Sequence, residues 1–547
     1  MNRFAYISLM ALTLLVGICF TACTNFEDDV YAEKNLLENN AYIKLSVTLP
    51  TETSTRAAGN PTGGEEGDGR ENGVRHENEL KNVTIFIIRS LSGFDAPATT
   101  NFLYKGYIQK GDAGWTDQTY GVDILFPTGS YVPQDDDRVI VVANAGDLTA
   151  ISTLGDLRDY NTTYSSWRNG ASLADNDLFV MSSAYNSGSE VGKVVVSAHA
   201  GTKTDPYLST LHIQRTAARI DFMYKVTDNF TGTVPTSELF YEVKNSTGSD
   251  KVATVHLDHI IPFNLMQESS YLIRRVTSSA DVASAVNHGA KETVDVSGIP
   301  TNYVIEPHTS AKQSTVDAST LGTWYGSTRA KAIFDDLTAH PASSSYLTST
   351  GINSYVATHT GASPLEMGYF SHYMTLAYTN ENTQSKEKHS PDFMTGLLLR
   401  TVYQPKTVYS DASLTVATSY TKGTTFWRYT PTKTLMVEED SKYFTTLAAA
   451  TAYKTAHPLD LAEITAYPGG VCYYNIWLRH ANVDSNPNPH TTFPMEYGIV
   501  RNNIYRVGVE KFTGPGTPTP SYEGPEHVRL RIFVRPWNRR VHPEILL

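Results

Sequence analysis

Residues 42–49 read Tyr42-Ile43-Lys44-Leu45-Ser46-Val47-Thr48-Leu49. Ile43, Leu45, Val47 and Leu49 fall on one side and Lys44, Ser46 and Thr48 on the other. That period of two predicts a β-strand with a single buried face, ended by Pro50. Four aliphatic side chains on one face need an apolar partner surface, so this segment belongs inside a sheet rather than on a tether.

Beyond it, from Thr51 to Asn78, the composition turns to Gly, Glu, Thr and Asn with no apolar periodicity, which predicts an exposed, flexible stretch. Arg56, Arg70 and Arg75 stand in it, each open to a trypsin-like protease. Arg56, followed by Ala57, comes first, and a cut there would detach the strand from everything after it. On the other side, residues 24–40 are polar and acidic. Before them lie Arg3, an apolar run from Ala5 to Phe20, and Phe20-Thr21-Ala22-Cys23. Small residues ahead of a cysteine after a short apolar run give the layout of a lipoprotein signal, in which Cys23 is acylated after cleavage. The run from Ile7 to Phe20 is shorter than the roughly 20 apolar residues that span a bilayer, so it is read as removed. An ordinary secretory signal cut elsewhere is the alternative, since Phe20 stands where leucine is usual.

The chain has 547 residues, enough for two or more domains, and 33 tyrosines amid abundant Thr, Ser and Val, which favours strands. Charged residues make up 18% and the net charge is −12, which argues against a nucleic-acid partner. Of three cysteines, Cys19 lies in the signal and Cys23 takes lipid, which leaves Cys472 alone in the mature chain. Within Val471-Cys472-Tyr473-Tyr474 it reads as a small buried hydrophobe.

Further strands are expected at Val83–Arg89, Arg138–Asn144, Leu178–Ser182, Lys193–Ala198 and Leu211–Tyr224. In the second half they are expected at Lys251–Ile261, Tyr303–Ile305, Tyr373–Thr379, Met394–Tyr403, Val471–Arg479 and Ile504–Phe512. Helices are expected at Thr149–Tyr160 and Lys442–Lys454, and an interdomain joint at Val226–Pro235. No repeat period is present. Nucleophile elbow, HExxH, P-loop and dinucleotide fingerprints are all missing, so no catalytic residue, cofactor or metal is assigned. His256 and His259, three apart on a strand, point to opposite faces. Asp135-Asp136-Asp137 lacks the spacing of a calcium loop and reads as a solvated acidic turn.

After the Gly-Pro-Thr-rich stretch Thr513–Pro525, the chain closes with a second alternating strand. Val528, Leu530, Ile532 and Val534 share one face, and Pro536-Trp537 follow. Its four aliphatics match those of 42–49, so both strands fit one slot in a sheet. A head-to-tail contact in which one molecule's tail fills a slot vacated in the next builds a filament. The pattern alone also fits, and by itself favours, each strand simply completing its own domain.

The sequence resembles the Mfa1-like and FimA-like fimbrillins of Bacteroidetes. Gly470-Val471-Cys472-Tyr473-Tyr474-Asn475-Ile476-Trp477-Leu478-Arg479 looks like a late family strand. Tyr497-Gly498-Ile499-Val500-Arg501-Asn502-Asn503-Ile504-Tyr505 is similar to the "VRNNIY" element, and Val534-Arg535-Pro536-Trp537 to the terminal "V-x-PW" motif. Tyr378-Thr379-Asn380-Glu381-Asn382 resembles the "EN" turn, and Val83–Ile88, Val139–Asn144 and Arg215–Ile220 the core strands. The resemblance implies a mostly β fold of two transthyretin-like β-sandwich domains with a few short helices. It further implies lipoprotein export, removal of the first strand by an arginine-specific protease at a position matched by Thr55-Arg56-Ala57, and assembly by the C-terminal strand.

The expected organisation is a signal peptide at 1–22, a propeptide at 23–56 carrying the removable strand 42–49, domains at 57–230 and 231–525, and a donor segment at 526–547. The expected function is that of a non-enzymatic stalk subunit of a surface fimbria supporting cell adhesion. Cys23 gives a transient outer-membrane anchor, Arg56 and Ala57 flank the cut, and Ile43, Leu45, Val47 and Leu49 form the removable strand. Val528, Leu530, Ile532, Val534 and Trp537 form the donor, and the partners are other fimbrial subunits and the protease, with no nucleic acid. A tip or anchor subunit is the alternative, as is a monomeric surface lipoprotein binding glycan or host protein.

Overall fold

The computed structural model describes residues 40–48, 77, 79–118, 121–163, 179–184, 192–224, 230–231, 238–266, 268–278, 286–290, 293, 301–313, 351, 372–384, 390–431, 438–459, 462–480, 495–521, 527–536 and 545–546. In the first unit the elements are β1 (Tyr42–Thr48), β2 (Asn82–Arg89), β3 (Tyr104–Gln109), β4 (Trp115–Gln118), β5 (Gly121–Pro127), β6 (Asp137–Ala143), α1 (Leu154–Asp159), β7 (Asn161–Thr163), β8 (Met181–Ala184) and β9 (Tyr207–Arg215). Eight of these strands form one sheet in the order β3-β2-β6-β8-β9-β1-β5-β4. Tyr104 on β3 stacks on Phe126 of β5 with ring centroids 5.1 Å apart, although five strands separate them in that order. The sheet therefore folds back on itself around one core. The unbroken apolar run in β6 is buried at every position, as expected of a strand covered on both faces. Asp137 departs from the solvated turn expected for it. It is fully buried at the head of β6, where its carboxylate accepts from Arg89 Nε at 2.9 Å and Gln134 N at 2.6 Å.

Thr216 separates β9 from β10 (Ala217–Tyr224), which already belongs to the second unit. Judged by sheet membership, the joint falls at Thr216 rather than in 226–235 or at the expected 230/231 boundary. The stretch 211–224 reads as one continuous strand, because residues 213–224 are buried throughout and only the change of sheet partner marks the turn.

The second unit continues with β11 (Phe230–Thr231), β12 (Glu238–Lys244), β13 (Lys251–Phe263), β14 (Ser269–Tyr271), β15 (Arg275–Thr277), β16 (Val286–His288), β17 (Tyr303–Ile305), β18 (His372–Asn380), β19 (Gly396–Pro405), β20 (Phe426–Thr430), β21 (Lys442–Phe444), α2 (Leu447–Ala456), β22 (Glu463–Tyr467), β23 (Val471–Trp477), β24 (Asn503–Phe512), β25 (Val528–Pro536) and β26 (Ile545–Leu546). A sheet ordered β18-β10-β24-β25-β26 faces one ordered β11-β12-β13-β19-β23. Both contribute to a single apolar core, so this unit is a β-sandwich. The described residues are mostly β, with short helices only. Each expected helix is present but shorter: Thr153 and Asp156 cap α1 reciprocally, and Lys442–Phe444 pairs as strand β21 before α2 begins after Thr446. Cys472 is buried at 0% exposure, with its Sγ 3.1 Å from Thr401 Oγ1, whose hydroxyl also donates to the Cys472 carbonyl at 3.2 Å. His256 reaches Gln404, Nε2 to Oε1 3.1 Å, and His259 sits 3.0 Å from Asp258, the extra residue of a bulge that puts His256 and His259 on one face of β13 rather than on the opposite faces expected.

The motif residues interlock. Arg501 pairs with Glu381 at 2.7 Å, both fully buried, and also donates to the carbonyls of Leu272 at 3.0 Å and Tyr271 at 2.7 Å. Asn502 holds a left-handed φ of 58° and donates its N–H to Ala217 O at 2.7 Å, while its amide oxygen accepts from Arg215 N at 3.3 Å. Tyr505 Oη accepts from Val500 N at 2.8 Å. "VRNNIY" and the "EN" turn are thus the two halves of one buried clasp where the units meet.

Candidate functional site

β1 is an interior strand. It runs antiparallel to β5 from Tyr42 opposite Pro127 to Thr48 opposite Gly121, and parallel to β9 from Ile43 opposite Tyr207 to Thr48 opposite His212. Ile43, Leu45 and Val47 are each 0% exposed, and burial of three such side chains contributes roughly 5–9 kcal/mol gross. Leu49 lies outside the described residues.

The outward face of β1 carries polar ties. Lys44 Nζ is 3.1 Å from Asp123, Ser46 Oγ donates to the same carboxylate at 2.7 Å, and Thr48 Oγ1 lies 2.7 Å from His212 Nδ1. Gly121 makes the slot close: a Cβ there would lie 2.1 Å from Val47 O. At the entry end, Tyr42 N donates to Gly201 O and Thr128 N to Ala41 O, each at 2.8 Å. A single segment, joined to the rest only through 49–76, therefore closes the β5–β4 hairpin onto β9.

Cys23, Arg56, Ala57, Arg70 and Arg75 lie outside the described residues, and the place where the chain is next described is Glu77. That carboxylate is 0% exposed, 3.2 Å from Arg219, and accepts from the Tyr378 hydroxyl, while Arg215 Nε donates to Glu77 O at 2.8 Å. Asp221 continues the cluster, 2.8 Å from Arg219 and 3.3 Å from Arg506. Burial pulls the Arg215 guanidinium down to about 10 and pushes the Asp221 carboxyl up against the opposing pull of Arg219. The linker's far end is therefore fixed on a buried ionic cluster between β9, β10 and β18.

The tail departs from the free donor expected of it. Val528, Leu530, Ile532 and Val534 form β25, antiparallel to β24 and buried in the core of their own sandwich, with exposures of 9%, 0%, 0% and 2%. The alternating pattern correctly announces a buried face, and its owner is the domain that carries it. Among the described residues, β26 pairs with β25 at Arg531 with Leu546 and Ile532 with Ile545. Trp537 lies outside the described residues.

His527, at a left-handed φ of 62°, starts β25, and Thr513 N donates to its carbonyl at 2.8 Å. Burial, then the nearby Arg428, pulls its imidazole down to about 4, while burial pushes Glu438 beside Arg428 up to about 7. As pH falls, the unfolded chain takes the His527 proton first, near 6.5, so this contribution is present above that pH and lost as pH falls toward 4. Glu438 acts in the opposite sense, its raised value costing stability as pH rises from 4.5 to about 7. His527→Asn keeps the left-handed backbone. The variant is expected to lose less stability than the native chain between pH 7 and pH 4.5, by about 1–3 kcal/mol, read as the difference in thermal midpoints so that Glu438 cancels.

Residues 465–542 match the model of the C-terminal region of major fimbrial subunit protein type IV, fimbrillin, so the chain is fimbrillin-like there. Comparison with curated proteins gives no match. Among solved structures, the C-terminally truncated tip fimbrial protein Mfa3 of Porphyromonas gingivalis is 9% identical, with 91% of this chain and 100% of that one covered at a TM-score of 0.35. The fimbrilin FimA of Porphyromonas gingivalis is 15% identical, with 91% and 98% covered at a TM-score of 0.34.

Proposed function

We propose that this chain is a stalk subunit of a surface fimbria, exported as a lipoprotein acylated at Cys23 and polymerised by protease-triggered strand exchange. The observation that supports the reading is the placement of β1 inside the first sheet, covalently continuous with the strands around it only through the arginine-bearing linker. While the linker is intact, β1 competes for its slot at the high effective concentration of an intramolecular segment. Cutting after Arg56 abolishes that advantage, so β1 can be lost to dilution. The vacated gap between β9 and β5 then presents an apolar groove lined by unpaired backbone groups.

The donor in this reading is the segment that follows β25 in the sequence. Stripping β25 from β24 would uncover four buried aliphatics, about 6–12 kcal/mol gross, whereas β26 is tied, among the described residues, by two residue pairs. Val541, Ile545 and Leu547 supply aliphatics at intervals of four and two residues in that segment. Treating the purified precursor with an arginine-specific protease is expected to yield SDS-resistant ladders, and Arg56→Ala or removal of 537–547 to abolish them. Removing 527–547 would also gut the second sandwich, so the shorter truncation is the informative one. A stable trimmed monomer after cleavage would overturn the reading and favour a monomeric binder.

Arg56 is the switch rather than Arg75, because Glu77 stands two residues past Arg75. A protease must draw the residues on both sides of the scissile bond into its cleft, and extracting Glu77 breaks a buried ion pair at a cost of about 3–5 kcal/mol. N-terminal sequencing over a digestion course should find cleavage at Arg75 slower than at Arg56 by about a hundredfold or more. Glu77→Ala should narrow that gap.

A further inference from the structure

Lys312, Glu306 and Asn382 meet in a site that none of the fimbrial machinery uses. Each is 1% exposed. Lys312 Nζ lies 2.7 Å from Glu306 Oε1, 2.6 Å from the side-chain oxygen of Asn382 and 3.2 Å from Thr383 O. The Glu306 carboxylate is held from its other side by His308 N at 2.7 Å. Asn382 is equally fixed: its Nδ2 donates toward Phe393 O and Thr395 Oγ1, each at 2.8 Å, and its backbone N–H donates to Ile499 O at 2.9 Å.

We propose that Lys312 and Asn382 become joined by an intramolecular isopeptide bond, with Glu306 carrying the proton. An amine, a carboxamide and a carboxylate locked together in a buried site are the components that aminolysis requires, and fixed contact replaces the encounter step. Burial pulls the Lys312 ammonium down against the opposing pull of Glu306, which favours transfer of its proton to that carboxylate. The neutral Nζ then attacks Asn382 Cγ, whose oxygen is already within hydrogen-bonding distance of Nζ. A proton passes from the new C–N bond's nitrogen to Nδ2, the Cγ–Nδ2 bond breaks, and ammonia leaves. The site ends as a secondary amide beside a protonated Glu306, so the buried charge pair is gone and atoms and charge balance. The bond would close a loop between residues 70 positions apart and tie the segment around Lys312 to the "EN" turn. It does not depend on the fimbrial reading.

Intact-mass measurement of the folded, full-length mature chain tests it. The native protein is expected to weigh less than its sequence by one ammonia, trypsin to spare the bond after Lys312, and a branched peptide to join the Lys312 and Asn382 segments. Lys312→Arg and the near-isosteric Glu306→Gln, each checked for native circular dichroism, should show the unreduced mass and no branched peptide. An unreduced mass in the folded native protein would overturn the proposal and leave a buried ion pair only. So would ammonia loss that persists in Lys312→Arg. Cross-linking of Glu306→Gln at the native extent would overturn the part assigned to Glu306.

Discussion

Leu45→Asp is expected to make the precursor assemble without any protease. Leu45 sits at 0% exposure in the middle of β1, opposite Ile124 on one side and Ser209 on the other. Losing a buried leucine costs about 2–5 kcal/mol. An unpaired carboxylate in the same place adds several kcal/mol more, or remains protonated at comparable expense. The sum rivals the roughly 5–9 kcal/mol gross that the buried face of β1 contributes, so the strand leaves while its linker is still intact. The slot is then open as it would be after cleavage at Arg56. Ladders should appear on gels of untreated Leu45→Asp protein, and removing 537–547 from that variant should abolish them. Leu45→Met, which conserves volume, should behave as the native chain. A soluble Leu45→Asp monomer with the native melting temperature would show that β1 is not what blocks the slot.

The period-two pattern of residues 42–49 is enough to read a buried strand, and the same pattern at 528–534 reads equally well as far as burial goes. What the pattern lacks is the identity of the neighbours. β1 finds its partners far downstream at 121–127 and 207–215, and nothing local distinguishes that slot from the one β25 fills beside β24. Alternation records that one face is covered, and the covering surface is set by loop closure over the whole domain. The joint at Thr216 is illegible for a related reason, since two consecutive strands in different sheets, separated by a single residue, read as one long strand. Asp137 is misleading because three aspartates in a row look solvated. Its actual partners, Arg89 and Gln134, arrive from β2 and a turn. Glu77 carries no local signal because it lies at the edge of a polar stretch, and only Arg219, Tyr378 and Arg215 give it a buried role. By contrast, Cys472 is legible: a lone cysteine among strand-forming aromatics is buried on pattern alone.

Arg501→Met is expected to destabilise the second unit and its contact with the first by about 3–5 kcal/mol, the cost of leaving a buried partner charge uncompensated. Arg501 and Glu381 are both at 0% exposure, 2.7 Å apart, and Arg501 also donates to the Leu272 and Tyr271 carbonyls. Met fills much of the arginine's stem volume but offers no donor, so the loss is electrostatic and local rather than a cavity. For a unit of this size the thermal midpoint should fall by about 6–20 °C. The double variant Arg501→Met with Glu381→Leu separates the two parts of that cost. Replacing both charges by apolar groups removes the orphaned carboxylate and should recover more than half of the loss, since a buried pair often contributes little beyond an apolar isostere. The remainder measures the loss of the Arg501 hydrogen bonds to the Leu272 and Tyr271 carbonyls, which keep the Ser182 and Ser270 hydroxyls as donors, about 1–3 kcal/mol. If the single variant melts within a degree of the native chain, the clasp is ornamental. If the double variant melts as low as the single, the hydrogen bonds to the Leu272 and Tyr271 carbonyls and not the ion pair carry the contribution of Arg501.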